Sequence, residues 1–105
     1  MFDNTDFNFS YDWKNNGNVL YVNHFWVSDE NRGYGRASAI LETLVRIAYY
    51  ESAEVIEVSI GGGEKAEEFI NRNGFHIINR RSYEFDIHES STIEGEYGID
   101  AVRRV

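Results

Sequence analysis

Asn31-Arg32-Gly33-Tyr34-Gly35-Arg36-Ala37-Ser38 is the stretch on which the reading of this chain turns. It stands between an apolar, β-branched run at residues 19–28 and a segment whose apolar residues, Ile40, Leu41, Leu44, Ile47 and Ala48, recur at helical spacing. Glycines at such a junction let the backbone turn tightly, and the first turn of a helix presents unpaired amides at the positive end of its dipole. The combination is a ready anion seat. Arg32 and Arg36 flank it, two of only ten cations in the chain. A glycine-rich turn that merely starts a helix accounts for the same residues. The stretch lacks the Lys-Ser/Thr ending of a P-loop and the full dinucleotide-binding fingerprint.

Upstream, Phe7, Phe9, Tyr11 and Trp13 alternate with Asn8, Ser10 and Asp12, the two-residue period of a strand with one buried face. Asn15-Asn16-Gly17-Asn18 then supplies residues tolerant of positive φ, so the first 28 residues read as a β-hairpin. Downstream, an amphipathic helix runs from Ala37 to Tyr50 or Glu51, with Glu42 and Arg46 four apart on its polar side. Residues 54–60 read as a strand ended by Gly61-Gly62-Gly63, and residues 64–73 as a second helix stopped by Gly74 in a left-handed C-cap. Residues 75–78 and 82–88 read as a closing hairpin, because Tyr83, Phe85 and Ile87 alternate with Glu84, Asp86 and His88. The predicted order is β-β-α-β-α-β-β, a mixed α/β sheet holding at least one right-handed βαβ crossover. Residues 89–105 leave three readings open: an added strand, a cover over a sheet edge, or a mobile tail.

The whole of residues 1–105 is expected to form one domain, since a single core organises about 100 to 200 residues. No Cys is present, which excludes disulfide scaffolds, thiolate nucleophiles and iron-sulfur sites, and no metal site is expected. Asp3, Asn4 and Asp6 stand where a signal peptide would carry cations, and no run approaches the roughly 18 to 20 apolar residues of a bilayer span. A soluble, cytoplasmic chain with no membrane partner is the expectation. The formal net charge of -8 opposes nucleic-acid binding and favours cationic partners, such as amines or basic protein surfaces.

Two motifs carry a family resemblance. Arg32-x-x-Gly35-x-Ala37 resembles the Gln/Arg-x-x-Gly-x-Gly/Ala motif of the GNAT N-acetyltransferase superfamily, with a strand before it and a helix after it. About 30 residues on, Ala66-Glu67-Glu68-Phe69-Ile70-Asn71-Arg72-Asn73-Gly74-Phe75 resembles that family's Ala-x-x-Phe-Tyr-x-x-x-Gly-Phe landmark. Two landmarks at this separation are far more specific than either alone. The resemblance covers roughly residues 19–88.

What the resemblance implies is an acetyl-CoA site on a GNAT-like core with a splayed central strand pair. The pyrophosphate would sit on Arg32, Gly33, Tyr34, Gly35, Arg36, Ala37 and Ser38, and pantetheine would bond to backbone near Val27. The proton acceptor that family members often place four or six residues before that valine corresponds to Asn23 and Tyr21, with His24 a further candidate if a bulge turns it. The family's general-acid Tyr corresponds to Ile70 and its helix-starting Asn to Gly63, so slower chemistry, or cofactor binding without transfer, is implied. Only about 18 residues precede the core strand, where the family usually carries two helices. The acceptor groove is therefore expected to be open, or completed by the C-terminal tail or a second subunit, and to suit an amine on a protein, a Lys or an N-terminus. A homodimer is a further expectation, because a short sheet leaves edges unprotected.

Overall fold

Aromatic alternation in the first strands and Asn-Gly chemistry between them build the hairpin that starts the sheet. The structure, a computed structural model, describes residues 2–3, 7–27, 35–82 and 97–105; for Phe2, Asp3, Phe7, His24, Trp26, Val27 and Ser82 it describes the backbone. In chain order the elements are β1 (Phe2–Asp3), β2 (Phe7–Lys14), β3 (Val19–Val27), α1 (Arg36–Tyr50), β4 (Val55–Gly61), α2 (Gly63–Arg72), β5 (His76–Ser82) and β6 (Tyr97–Arg104). Asn15, Asn16 and Gly17 take φ of 54°, 57° and 89°, the left-handed turn expected of them.

The sheet order is β1-β2-β3-β4-β6-β5. β3 and β4 are parallel; the other pairings are antiparallel. Each parallel step is bridged by a helix, and both crossovers step in the same direction across the sheet. Crossovers of one hand therefore lay α1 and α2 on the same face. There Leu41, Leu44, Val45 and Ala48 of α1, with Ala66 and Ile70 of α2, join Leu20, Val22, Ile56, Val58, Ile60, Ile99 and Ala101 in one core. The buried positions of α1 follow the i, i+3, i+4, i+7 spacing, with Ile40 and Ile47 on the flanks. Glu42, placed on the polar side of α1 beside Arg46, takes a hydrogen bond from Arg103 of β6 at 3.1 Å.

Both helices close in the same way. The N–H of Phe75 reaches the carbonyl of Ile70 and that of Gly74 the carbonyl of Asn71, with Gly74 at φ 83°. This is a Schellman motif whose hydrophobic partners, Phe75 and Ile70, are buried. At the end of α1 the N–H groups of Ala53 and Ser52 make the equivalent bonds to Ala48 and Tyr49, but the left-handed residue is Ser52, at φ 64°.

The closing hairpin differs from the expectation. β5 runs unbroken through residues 79–81, where a turn was expected, and its described partner is β6, drawn from the segment left open at the chain end. β6 lies between β4 and β5 because Ile99 and Ala101 alternate inward and are fully buried, whereas the exposed Ile78 of β5 suits an edge. The strand expected at 83–88, Tyr83 included, lies outside the described residues.

Candidate functional site

The parallel ladder between β3 and β4 is short. Its pairs run from Val19↔Val55 to Val22↔Val58 and stop, although β3 continues to Val27 and β4 to Gly61. Beyond Val22 and Val58 the two central strands part, and β3 turns its inner edge to a gap with its main-chain amides and carbonyls unclaimed by β4. An extended chain carrying its own amides can pair with such an edge as an added strand does.

β3 carries a bulge beside this gap. Ser10 faces Asn23 and Asn8 faces Trp26, so residues 24–25 put one extra residue opposite Phe9. Strict alternation from Leu20 and Val22 would turn Phe25 away from the helices. The extra residue brings it back, and its ring stacks on Phe69 of α2 with centroids 6.1 Å apart. The bulge that His24 required is thus present, while the His24 side chain lies outside the described residues.

β3 leads toward the N-terminus of α1. Gly35, the residue before its first turn, is left-handed at φ 77° and ψ 3°, with no side-chain cap and no acidic residue in the first turn. The first intrahelical bond is Ala39 N–H to the Gly35 carbonyl, at 2.9 Å. A left-handed glycine cannot cap through a side chain, so the amides of Arg36, Ala37 and Ser38 are the natural seat for an anion. An added Cβ at Gly35 would meet no atom of the described residues within 4 Å, so on their side the backbone is open to close approach by a ligand. The described residues therefore fit both halves of a CoA: a strand edge left by β4 for pantetheine and a helix start with no side-chain cap for pyrophosphate. Arg32, Gly33 and Tyr34 lie outside the described residues, and of Val27 only the backbone in β3 is described.

The face of the sheet away from the helices is polar. Val55, Glu57 and Ser59 alternate with the buried Ile56, Val58 and Ile60, which puts Glu57 on this polar side, next to Tyr21 in register. Tyr21 donates to Ser59 Oγ at 2.8 Å, and Ser59 donates to Asp100 Oδ1 at 2.6 Å. Asn79 and Arg81 of β5 hold the same carboxylate at 3.2 Å and 3.1 Å. Lys14 Nζ sits 3.6 Å from the centre of the Tyr21 ring. Asn23 accepts a hydrogen bond from Ser10 through its Oδ1. Tyr21 and Asn23 therefore share a face, Tyr21 at the point where the ladder ends and Asn23 just past it. The Ser59 and Asp100 partners were not legible beforehand, since β6 had no assigned place.

On the helix side, a second cluster ties α2 to the outer strands. Glu67 takes two hydrogen bonds of 2.9 Å from Arg80 and one from Tyr97. The Arg80 bond, then that of Tyr97, holds the Glu67 carboxyl down to about 2, and the bond to Glu67 raises both Arg80 and the Tyr97 phenol. Ile70, on the next turn, is 0% exposed within the core. A cleft of about 500 Å³ lined by Val55, Gly74, His76, Val102, Arg103 and Arg104 lies at the opposite end of β4, remote from the gap.

Against known proteins, no protein-family model and no curated protein matches the chain. Solved structures do match. A nourseothricin acetyltransferase superposes with a TM-score of 0.69 at 17% identity, covering 90% of this chain and 54% of that one. Ard1 from Thermoplasma volcanium gives 0.71 at 13% identity, covering 92% and 61%. A GNAT family acetyltransferase from Elizabethkingia anophelis with acetyl-CoA bound gives 0.62 at 13% identity, covering 83% and 61%. The chain spans between about half and just under two-thirds of the length of these structures. It has the fold of the GNAT N-acetyltransferases. No helix among the described residues is long and apolar enough to cross a membrane.

Proposed function

We propose that this protein binds acetyl-CoA and transfers the acetyl group to an amine. The observation that carries the reading is the parting of β3 from β4 beyond Val22 and Val58, in a chain whose next helix starts without a side-chain cap behind a left-handed Gly35. On this reading the inner edge of β3 near Val27 holds pantetheine, and residues 32–38 hold the pyrophosphate through main-chain amides, with Arg32 and Arg36 adding charge. When bound, the thioester supplies an activated acyl carbon. The chain's part is to orient it, to offer an N–H of the bulged β3 to the carbonyl oxygen as negative charge develops, and to take a proton from the attacking amine.

The acceptor we favour is an amine on a protein, a Lys or an N-terminus, because the net charge of -8 attracts cationic surfaces. A neighbour named for nourseothricin makes a small cationic amine the natural comparison. A second reading, CoA or partner binding without transfer, is favoured by Ile70: it stands where the resemblance places a general-acid Tyr, and it is sealed in the core.

Calorimetric titration with CoA tests the shared step, with micromolar binding expected; no heat at millimolar CoA would remove both readings. Incubation with acetyl-CoA and, separately, a Lys-rich peptide, a peptide with a free N-terminus and nourseothricin, followed by mass measurement, then divides them. A gain of one acetyl group supports transfer. Binding without acetylated product across pH 6 to 9 leaves the second reading.

A further inference from the structure

We infer that Tyr21, Ser59 and Asp100 form a one-way proton relay that carries the acceptor's proton from the gap to the outer part of the sheet; the inference rests on the acetyl-transfer reading above. Three strands contribute one residue each. Asp100 of β6 lies directly opposite Ser59 of β4, while Tyr21 of β3 reaches diagonally to Ser59 from its own register partner Glu57. The geometry gives the chain a direction: Tyr21 donates to Ser59 at 2.8 Å, and Ser59 donates to Asp100 at 2.6 Å. With its proton committed inward, the Tyr21 oxygen presents its lone pairs outward, as an acceptor. Tyr21 also belongs to the last-but-one pair of the β3–β4 ladder, so this acceptor stands where the gap opens.

A bland cross-strand hydrogen bond would satisfy two groups. Here the carboxylate at the far end is 18% exposed and held from the other side by Asn79 and Arg81, which fix its oxygens toward Ser59. Lys14 packs over the Tyr21 ring, its Nζ 3.6 Å from the centroid, and helps hold the phenol in place beside Ser59.

The step balances. As the neutral amine nitrogen bonds to the acyl carbon, its surplus proton passes to the Tyr21 oxygen. The Tyr21 proton passes to Ser59 Oγ and the Ser59 proton to Asp100 Oδ1. The carbon–sulfur bond breaks with its electron pair on sulfur, the thiolate takes a proton from solvent, and Asp100 returns one to solvent. Tyr21 meets the amine; Ser59 and Asp100 act through it. Among the described residues, the charged and titratable groups around the relay are Arg81 and His76 of β5, Glu57 of β4, Arg104 of β6, and Lys14 and Asp12 of β2, Asp12 lying opposite Tyr21 in register.

The test uses the full chain with the Lys-rich peptide, reading kcat, KM and the pH profile, with CoA affinity by calorimetry as a measure independent of turnover. Tyr21→Phe, Ser59→Ala and Asp100→Asn are each expected to lower kcat about 10- to 100-fold, with peptide KM and CoA affinity within twofold of wild type. Ser59→Thr, which keeps the hydroxyl, should recover to within about threefold of wild type. Should Asp100→Asn not fold, the contrast between Ser59→Ala and Ser59→Thr decides the matter. An active wild type whose variants fold, bind CoA and keep kcat within twofold with an unchanged pH profile overturns the relay alone. A wild type that acetylates no amine overturns the transfer reading and the relay with it.

Discussion

Replacing Gly35 by Ala puts a methyl group on a left-handed residue in open space. At φ 77° and ψ 3°, with none of the described residues within 4 Å of the new Cβ, their packing contributes nothing and the backbone bears the effect. An L-residue in that region costs about 1–2 kcal/mol, and the stiffer unfolded chain offsets about 0.4–1 of it, leaving roughly 1 kcal/mol of destabilisation. With a urea m-value of about 1 kcal/mol/M, the unfolding midpoint falls by about 1 M at unchanged m. Gly17→Ala is the control: φ is 89°, the space is equally empty, and the turn is in the hairpin rather than at α1. Both variants should lose the same stability. Only Gly35→Ala should weaken CoA binding, by about tenfold or more, because it keeps a phosphate from at least one amide bond worth about 1.5–3 kcal/mol. If neither variant loses stability, the positive-φ reasoning is wrong. Equal CoA affinity in the two would mean that the start of α1 is not the phosphate seat.

At the end of α1 the same argument runs in reverse: Ser52 sits at φ 64°, so Ser52→Gly should raise stability by about 0.5–1 kcal/mol in urea unfolding, and a loss would contradict the left-handed cap. Glu67 has its carboxyl held at about 2 against an ordinary 4.5, so its contribution is complete above pH 4.5 and fades as pH falls toward 2. Wild type and Glu67→Gln should therefore converge in stability over that window; a gap that stays constant with pH counts against the Arg80 and Tyr97 bonds as its source. Phe25 and Phe69, stacked between β3 and α2, should show a coupling of about 0.5–1.5 kcal/mol in a double-mutant cycle of Ala variants. Simple additivity would show that the bulge does not bring the rings together.

Local chemistry wrote much of this fold into the sequence. Asn15-Asn16-Gly17 could only turn, Gly74 could only end α2 in a left-handed cap, and the apolar spacing of residues 40–48 had one helical face to bury. The helix start just after Gly35 followed from the glycines before it. The order of the last strands did not follow. Residues 97–104 carry two glycine-flanked apolar positions and a pair of arginines, too weak a pattern to choose between a strand, a cover and a loose tail. Insertion between β4 and β5 is settled by burial of Ile99 and Ala101 against helices that are distant in sequence.

The extra residue in β3 was equally invisible, because a bulge is a mismatch between two strands and neither strand states it alone. By itself, then, the sequence determined the first hairpin, the two helices, their caps and the glycine-led helix start, all of which rest on interactions within a few residues. Tertiary structure alone decided where β3 leaves β4, which face Phe25 takes, and that Tyr21, Ser59 and Asp100, spread over 80 positions, meet in one hydrogen-bonded line. Those outcomes depend on strand pairing across long separations, where the free energy lies in contacts no local pattern contains.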